Sequence, residues 1–122
     1  MNGKEFDQCV KSRITKCLDT LCVKAKEYAN NDDRLRSFWQ AATIEKVSPY
    51  EALGGMLAKH IISIYDMLPT AERHSSAKWD EKIGDAINYL LLLDALLVDG
   101  QKGKCISLKD AEDEDNVCVK SK

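Results

Sequence analysis

Proline appears only twice and glycine six times in 122 residues, and no internal repeat or low-complexity stretch occurs, which excludes collagen-like and wholly disordered architectures. What remains, 44% hydrophobic and 31% charged, suits one compact domain. An excess of positive charge is also missing. Eighteen basic residues stand against twenty acidic ones, so no global positive field draws in duplex nucleic acid. Nor is there a long hydrophobic run: the longest, Ala86 to Val98, is broken by Asn88 and Asp94 and falls short of the roughly 20 residues that cross a bilayer. Met1 to Asp7 carries Lys4, Glu5 and Asp7 with no apolar run behind it, unlike a secretory signal, and a cytoplasmic setting is expected. The five cysteines (Cys9, Cys17, Cys22, Cys105, Cys118) are odd in number and lack Cys-x-x-Cys spacing, which argues against zinc or dithiol chemistry. Cys9 and Cys17 are expected to pack as small apolar groups.

What is present is helical periodicity. Phe6, Val10, Ile14, Cys17, Leu18, Leu21, Ala25 and Tyr28 recur every three or four residues and predict one long first helix. It should stop at Ala29-Asn30-Asn31-Asp32-Asp33, with Asp32 or Asp33 capping a second helix over about Arg34 to Lys46. Ser48-Pro49-Tyr50-Glu51 is a capping box with proline at the first helical position, so a third helix runs from Pro49 to Leu68, ahead of Pro69. Inside it, Gly54-Gly55 weakens the helix by roughly 1 kcal/mol per glycine, which points to close approach of another backbone or a ligand, or to crowding between helices. Thr70 to Ala77 reads as a loop, and a fourth helix spans about Lys78 to Asp99, closed by Gly100. Ile83, Ala86, Ile87, Leu90 to Leu93 and Leu96 to Val98 cover nearly its whole circumference, which predicts burial on several sides in a homodimer or homotetramer built on this helix. The expectation is an all-α four-helix domain over residues 1–100 and a mobile polar tail over 101–122, with five acidic and five basic residues.

Polar residues interrupt the two most apolar helices. Lys78, Glu81, Asp85 and Asn88 form one stripe on the fourth helix, and Lys59, Ser63 and Asp66, with His60 beside them, form another on the third. Facing stripes would line a polar cleft, filled either by salt bridges (Lys59 with Glu81 or Asp85, Asp66 with Lys78) or by a ligand. As a ligand site, Glu81 and Asp85 one turn apart suit Mg²⁺, while Lys59, His60, Arg34 and Arg36 offer positive charge to phosphates. Tyr28, Phe38, Trp39 and Tyr89 would border the cleft and offer stacking faces to a base, although core packing suits Phe38 better. No nucleophile elbow, phosphate-binding glycine loop or His-Glu-x-x-His motif occurs.

Lys26-Glu27-Tyr28, Asp33-Arg34-Leu35 with Phe38, Ser48-Pro49 before Ala52-Leu53, Met56 through Lys59-His60, Ser63-Ile64 with Asp66, and Glu81-Lys82-Ile83-Gly84-Asp85 through Asn88-Tyr89 make up a recognisable pattern. Over Lys24 to Val98 the chain resembles the all-α nucleotide pyrophosphohydrolase superfamily of MazG, dimeric dUTPase and phosphoribosyl-ATP pyrophosphatase relatives, in its small phage and prophage branch. The resemblance implies an oligomeric helical bundle that uses Mg²⁺ and water to split a nucleoside triphosphate into monophosphate and pyrophosphate. Glu81 and Asp85 match the second acidic motif of that family. Its first motif, paired glutamates three residues apart, is replaced by Lys59, His60 and Ser63, leaving Asp66 further along.

Two functional expectations follow. In the first, a Mg²⁺-dependent pyrophosphohydrolase uses Glu81, Asp85 and Asp66 as catalytic carboxylates, with Lys59, His60, Asn88, Tyr89, Arg34, Phe38 and Tyr28 holding substrate. In the second, the same cleft sequesters a nucleotide or nucleotide-derived signal without cleaving it, needing no metal, as a phage sponge against host defence would. A third reading, ranked below a nucleotide-handling role, is a purely structural helical oligomer whose stripes are internal salt bridges.

Overall fold

In the computed structural model, which describes residues 1–24 and 33–108, the described chain is helical and contains no strand. Helix α1 spans Gly3–Leu18 and continues as a π-helical segment over Asp19–Lys24. Its start is fixed by a capping box in which the Asn2 side chain accepts from the Glu5 amide at 2.8 Å and the Glu5 carboxylate accepts from the Asn2 amide at 2.9 Å. The expected single α-helix through Tyr28 therefore changes geometry after Leu18, and Ala25 and Tyr28 lie outside the described residues.

Helix α2 covers Arg36–Glu45. Asp33 does not cap it as expected: its carboxylate accepts from the Leu35 amide at 3.0 Å, an Asx turn that places the helix start two residues later, while Asp32 lies outside the described residues. Lys46, in the left-handed region at φ 60°, ends the helix. Helix α3 spans Pro49–Met67, opened by the Ser48 and Glu51 capping box that the sequence predicts. Much of the expected loop after it is instead a 3₁₀ turn, Leu68–Arg73, onto which the Trp79 indole donates at Ala71 O over 2.8 Å.

Helix α4 runs from Ser76 to Leu108, so Gly100 does not terminate it and residues 101–108 are helical. Gly100 has another role. A Cβ there would sit 2.3 Å from the Tyr50 hydroxyl, so the glycine lets the start of α3 lie against α4. Gly54 and Gly55 show no such approach, because a Cβ at either position would meet nothing within 4 Å.

The core sits between α2, α3 and α4. Leu53 and Leu96 are fully buried and Phe38 nearly so, with Leu35, Tyr50, Met56, Leu57, Tyr89, Leu92 and Leu93 packed around them. α4 is only partly covered within one chain: Leu90, Leu91, Leu97 and Val98 are exposed. Cys17 is buried as expected, whereas Cys9 and Cys22 are exposed; all three are free thiols. No helix among the described residues is long and apolar enough to cross a membrane.

Candidate functional site

The polar groups meet along the first four turns of α4. Asp80, Gly84 and Asn88 recur every four residues and share one face, and Arg13, Lys16, Cys17 and Thr20 share a face of α1 and the π-helical segment. Gly84 is buried, and a Cβ there would lie 3.1 Å from Arg13 Nη1. The missing side chain makes room for the guanidinium. Arg13 donates through Nη2 to the Asp80 carboxylate and through Nη1 to the Asp80 carbonyl at 3.3 Å, while Lys16 reaches the same carboxylate oxygen at 2.8 Å. The Lys16 bond first, and the Arg13 bond second, hold the Asp80 carboxyl below its ordinary range.

Between the two elements lies a half-open cleft of about 510 Å³, lined by these groups with Asp19, Glu81 and Asp85. Its volume falls in the range of small-molecule sites. Arg13 and Lys16 are both held on Asp80, so the carboxylates of Glu81 and Asp85 set the acidic character of the lining, which favours a cation, or an anion that brings one, over a bare anion. One acceptor is unsatisfied: Asn88 Oδ1 is buried without a hydrogen-bond partner. Glu81, Asp85 and Asn88 thus offer hard oxygen donors from one side of α4, a set that suits Mg²⁺, which takes one or two carboxylates and fills its shell with water and phosphate oxygens. Among the described residues no group of three or more His, Cys, Asp and Glu side chains is placed to hold a metal ion.

The structure thus brings Glu81, Asp85 and Asn88 into one cleft, but between α1 and α4 rather than between α3 and α4 as expected. The reason is helical phase. His60 takes the α4-facing position on α3, stacking on Tyr89 with centroids 4.9 Å apart and approaching Asp85 Oδ2 to 3.8 Å, while Lys59, one residue or about 100° away, turns to solvent. Asp66, Lys78 and Glu81 are exposed too, so the expected α3 to α4 salt bridges give way to Arg13 and Lys16 on Asp80 and His60 beside Asp85. Arg34 donates to the Leu21 carbonyl, and Phe38 lies in the core, level with Leu96 and about 16 Å along α4 from Asp85. Trp39 and Arg36 are exposed on α2. Tyr28 lies outside the described residues.

Arg13, Lys16 and Asp80 were the residues the sequence concealed, because charges on an amphipathic helix read as a solvated face. Gly84, a helix-weakening residue inside the most apolar helix, was the available signal of close approach. No family model matches the chain, and no curated protein or solved structure is similar enough to it to count as a match.

Proposed function

We propose that the protein handles a nucleotide, received as its magnesium complex in the cleft between α1 and α4. The observation that carries this reading is the acidic excess of a ligand-sized cleft around the unpaired Asn88 Oδ1. Glu81 and Asp85 would hold Mg²⁺, which when bound neutralises phosphate charge and polarises a phosphoryl oxygen. Arg13 and Lys16, held on Asp80, would meet the outer phosphate oxygens from the α1 wall, and His60, stacked on Tyr89, lies beside Asp85 from the α3 side. The likeness of Glu81 and Asp85, with Gly84 before Asp85, to the second acidic motif of the MazG-like pyrophosphohydrolases supports the same assignment. Hydrolysis to monophosphate and pyrophosphate is the outcome that likeness favours. Retention without cleavage, the sponge-like alternative, is favoured by the lack of a third metal-binding carboxylate among the described residues. The reading includes assembly of the chain with itself through the uncovered apolar face of α4.

The test is incubation with a panel of nucleoside triphosphates and cyclic or linear nucleotide signals, with and without Mg²⁺, followed by mass spectrometry of products and of ligand retained through gel filtration. The expected result is Mg²⁺-dependent pyrophosphate release or retention of intact ligand, lost in Asp85→Asn. Neither turnover nor retention with any member of the panel would leave the protein a helical scaffold.

A further inference from the structure

Two cations on α1 are engaged by one carboxylate of their own chain. Arg13 Nη2 and Lys16 Nζ both donate to Oδ1 of Asp80, and Arg13 Nη1 also donates to the Asp80 carbonyl at 3.3 Å. The pair stands on the wall of the cleft, with Lys16 exposed and the guanidinium in the space that Gly84 leaves open. Two basic side chains converging on a single oxygen is the arrangement by which proteins also hold a phosphate oxygen. Asp80 therefore occupies, as an anion supplied by the chain itself, the place that an outer phosphate oxygen of the ligand would take.

A phosphate that enters alone meets the carboxylates of Glu81 and Asp85, and must compete for Arg13 and Lys16 with a carboxylate already bonded to both. A phosphate that carries Mg²⁺ meets the opposite balance, because the metal turns the repulsion of Glu81 and Asp85 into attraction. The discrimination is by charge rather than by shape. Removing the charge of Asp80 while keeping its size would release the two cations without taking them from the wall: the Arg13 bond to the Asp80 carbonyl is made to the backbone, and Cys17 is buried one turn further along α1.

We propose that Asp80 is a specificity-determining residue of the cleft: it occupies Arg13 and Lys16 as an internal anion, so that a phosphorylated ligand is accepted with a bound divalent cation and refused without one. This rests on the reading of the cleft as a site for a magnesium-complexed nucleotide and names the group that makes the metal obligatory. The two cations stay on the α1 wall throughout. What differs is whether Asp80 alone answers their charge or the ligand shares it.

The test is calorimetric binding of inorganic tripolyphosphate to the full chain, in EDTA and in excess Mg²⁺, with far-UV circular dichroism to confirm retained helix. The expected result is that the unsubstituted chain binds the probe with Mg²⁺ and only feebly in EDTA, while Asp80→Asn binds it in EDTA roughly tenfold or more tightly than the unsubstituted chain does. That gain should vanish when Arg13→Gln and Lys16→Gln are added. It should be absent from Asp94→Asn, an equal change of net charge at an exposed position elsewhere on α4. Binding with Mg²⁺ but no gain in Asp80→Asn overturns the proposal and leaves the magnesium-nucleotide reading standing, as does a gain that survives loss of both cations or appears in Asp94→Asn. An unsubstituted chain that binds the probe equally well in EDTA overturns it too. A gain in Asp80→Asn from a chain that binds neither the probe nor any nucleotide with Mg²⁺ overturns that reading, and with it the need for metal, while keeping Asp80 as the anion on the pair. No binding by either protein in any condition overturns both.

Discussion

The two ends of α4 are held by different forces. Around Leu96 the helix is locked by apolar burial against Phe38 and Leu53, while around Asp80 it is joined to α1 by two cations on one carboxylate oxygen. Apolar burial is not screened by ions and carries no proton to titrate, but a partly exposed charge tether is screened by ions and removed by acid. Stability and the candidate site are therefore placed at opposite ends of the same helix, and a change at one end should be felt weakly at the other.

Four single substitutions and one double variant grade that contrast. Leu53→Ala removes a fully buried side chain and should lower unfolding free energy by about 2 to 5 kcal/mol in a denaturant titration, whereas Phe6→Ala, at an exposed position of α1, should shift the dilute monomer by less than about 0.5 kcal/mol. Equal losses would mean that α1 belongs to the same core. Gly100→Ala comes next. Its methyl would fall within 2.3 Å of the Tyr50 hydroxyl, so overpacking of about 1 to 3 kcal/mol opposes the roughly 1 kcal/mol gained in helix propensity. Adding Tyr50→Phe should return the gain, because the next ring atom lies at 3.6 Å, and the melting temperature of Gly100→Ala with Tyr50→Phe should exceed that of Gly100→Ala alone.

The smallest global effect belongs to Asp80→Asn. It should leave the denaturation midpoint nearly unchanged while amide exchange accelerates over Arg13 to Leu18 and not over Leu53 to Met67. Acid should mimic it. The Lys16 and Arg13 bonds depress the Asp80 carboxyl, so the tether is intact above the ordinary carboxylate value of about 3.9 and is lost as pH falls through the lower folded value. Exchange in α1 that is indifferent to Asp80→Asn would show that the tether does not hold the helix.

How far these features were legible depends on their range in sequence. The Ser48 to Glu51 cap was readable because all of its partners lie within four residues. The helical class was readable from periodicity, though not the π-helical Asp19–Lys24 or the 3₁₀ turn Leu68–Arg73, and the Glu81, Asp85, Asn88 row was readable from spacing alone. Gly100 misled, since a glycine after an apolar run signals a helix end, and only the distant Tyr50 hydroxyl explains why the helix continues past it. The position of the cleft was hidden for the same reason: Arg13 and Asp80 are 67 residues apart, and neither the charge nor the spacing of either names the other.

The order of residues in the chain settled what is local, namely the helical character of the described residues, the Ser48 capping box and a row of oxygen donors, because backbone hydrogen bonding and helical pitch act over a few residues. Which faces meet was left to the folded molecule. A turn of about 100° per residue decides whether His60 or Lys59 looks at α4, and a missing Cβ at Gly84 decides that Arg13 can close on Asp80. Such choices depend on shape complementarity between segments far apart in sequence, which only packing in three dimensions resolves.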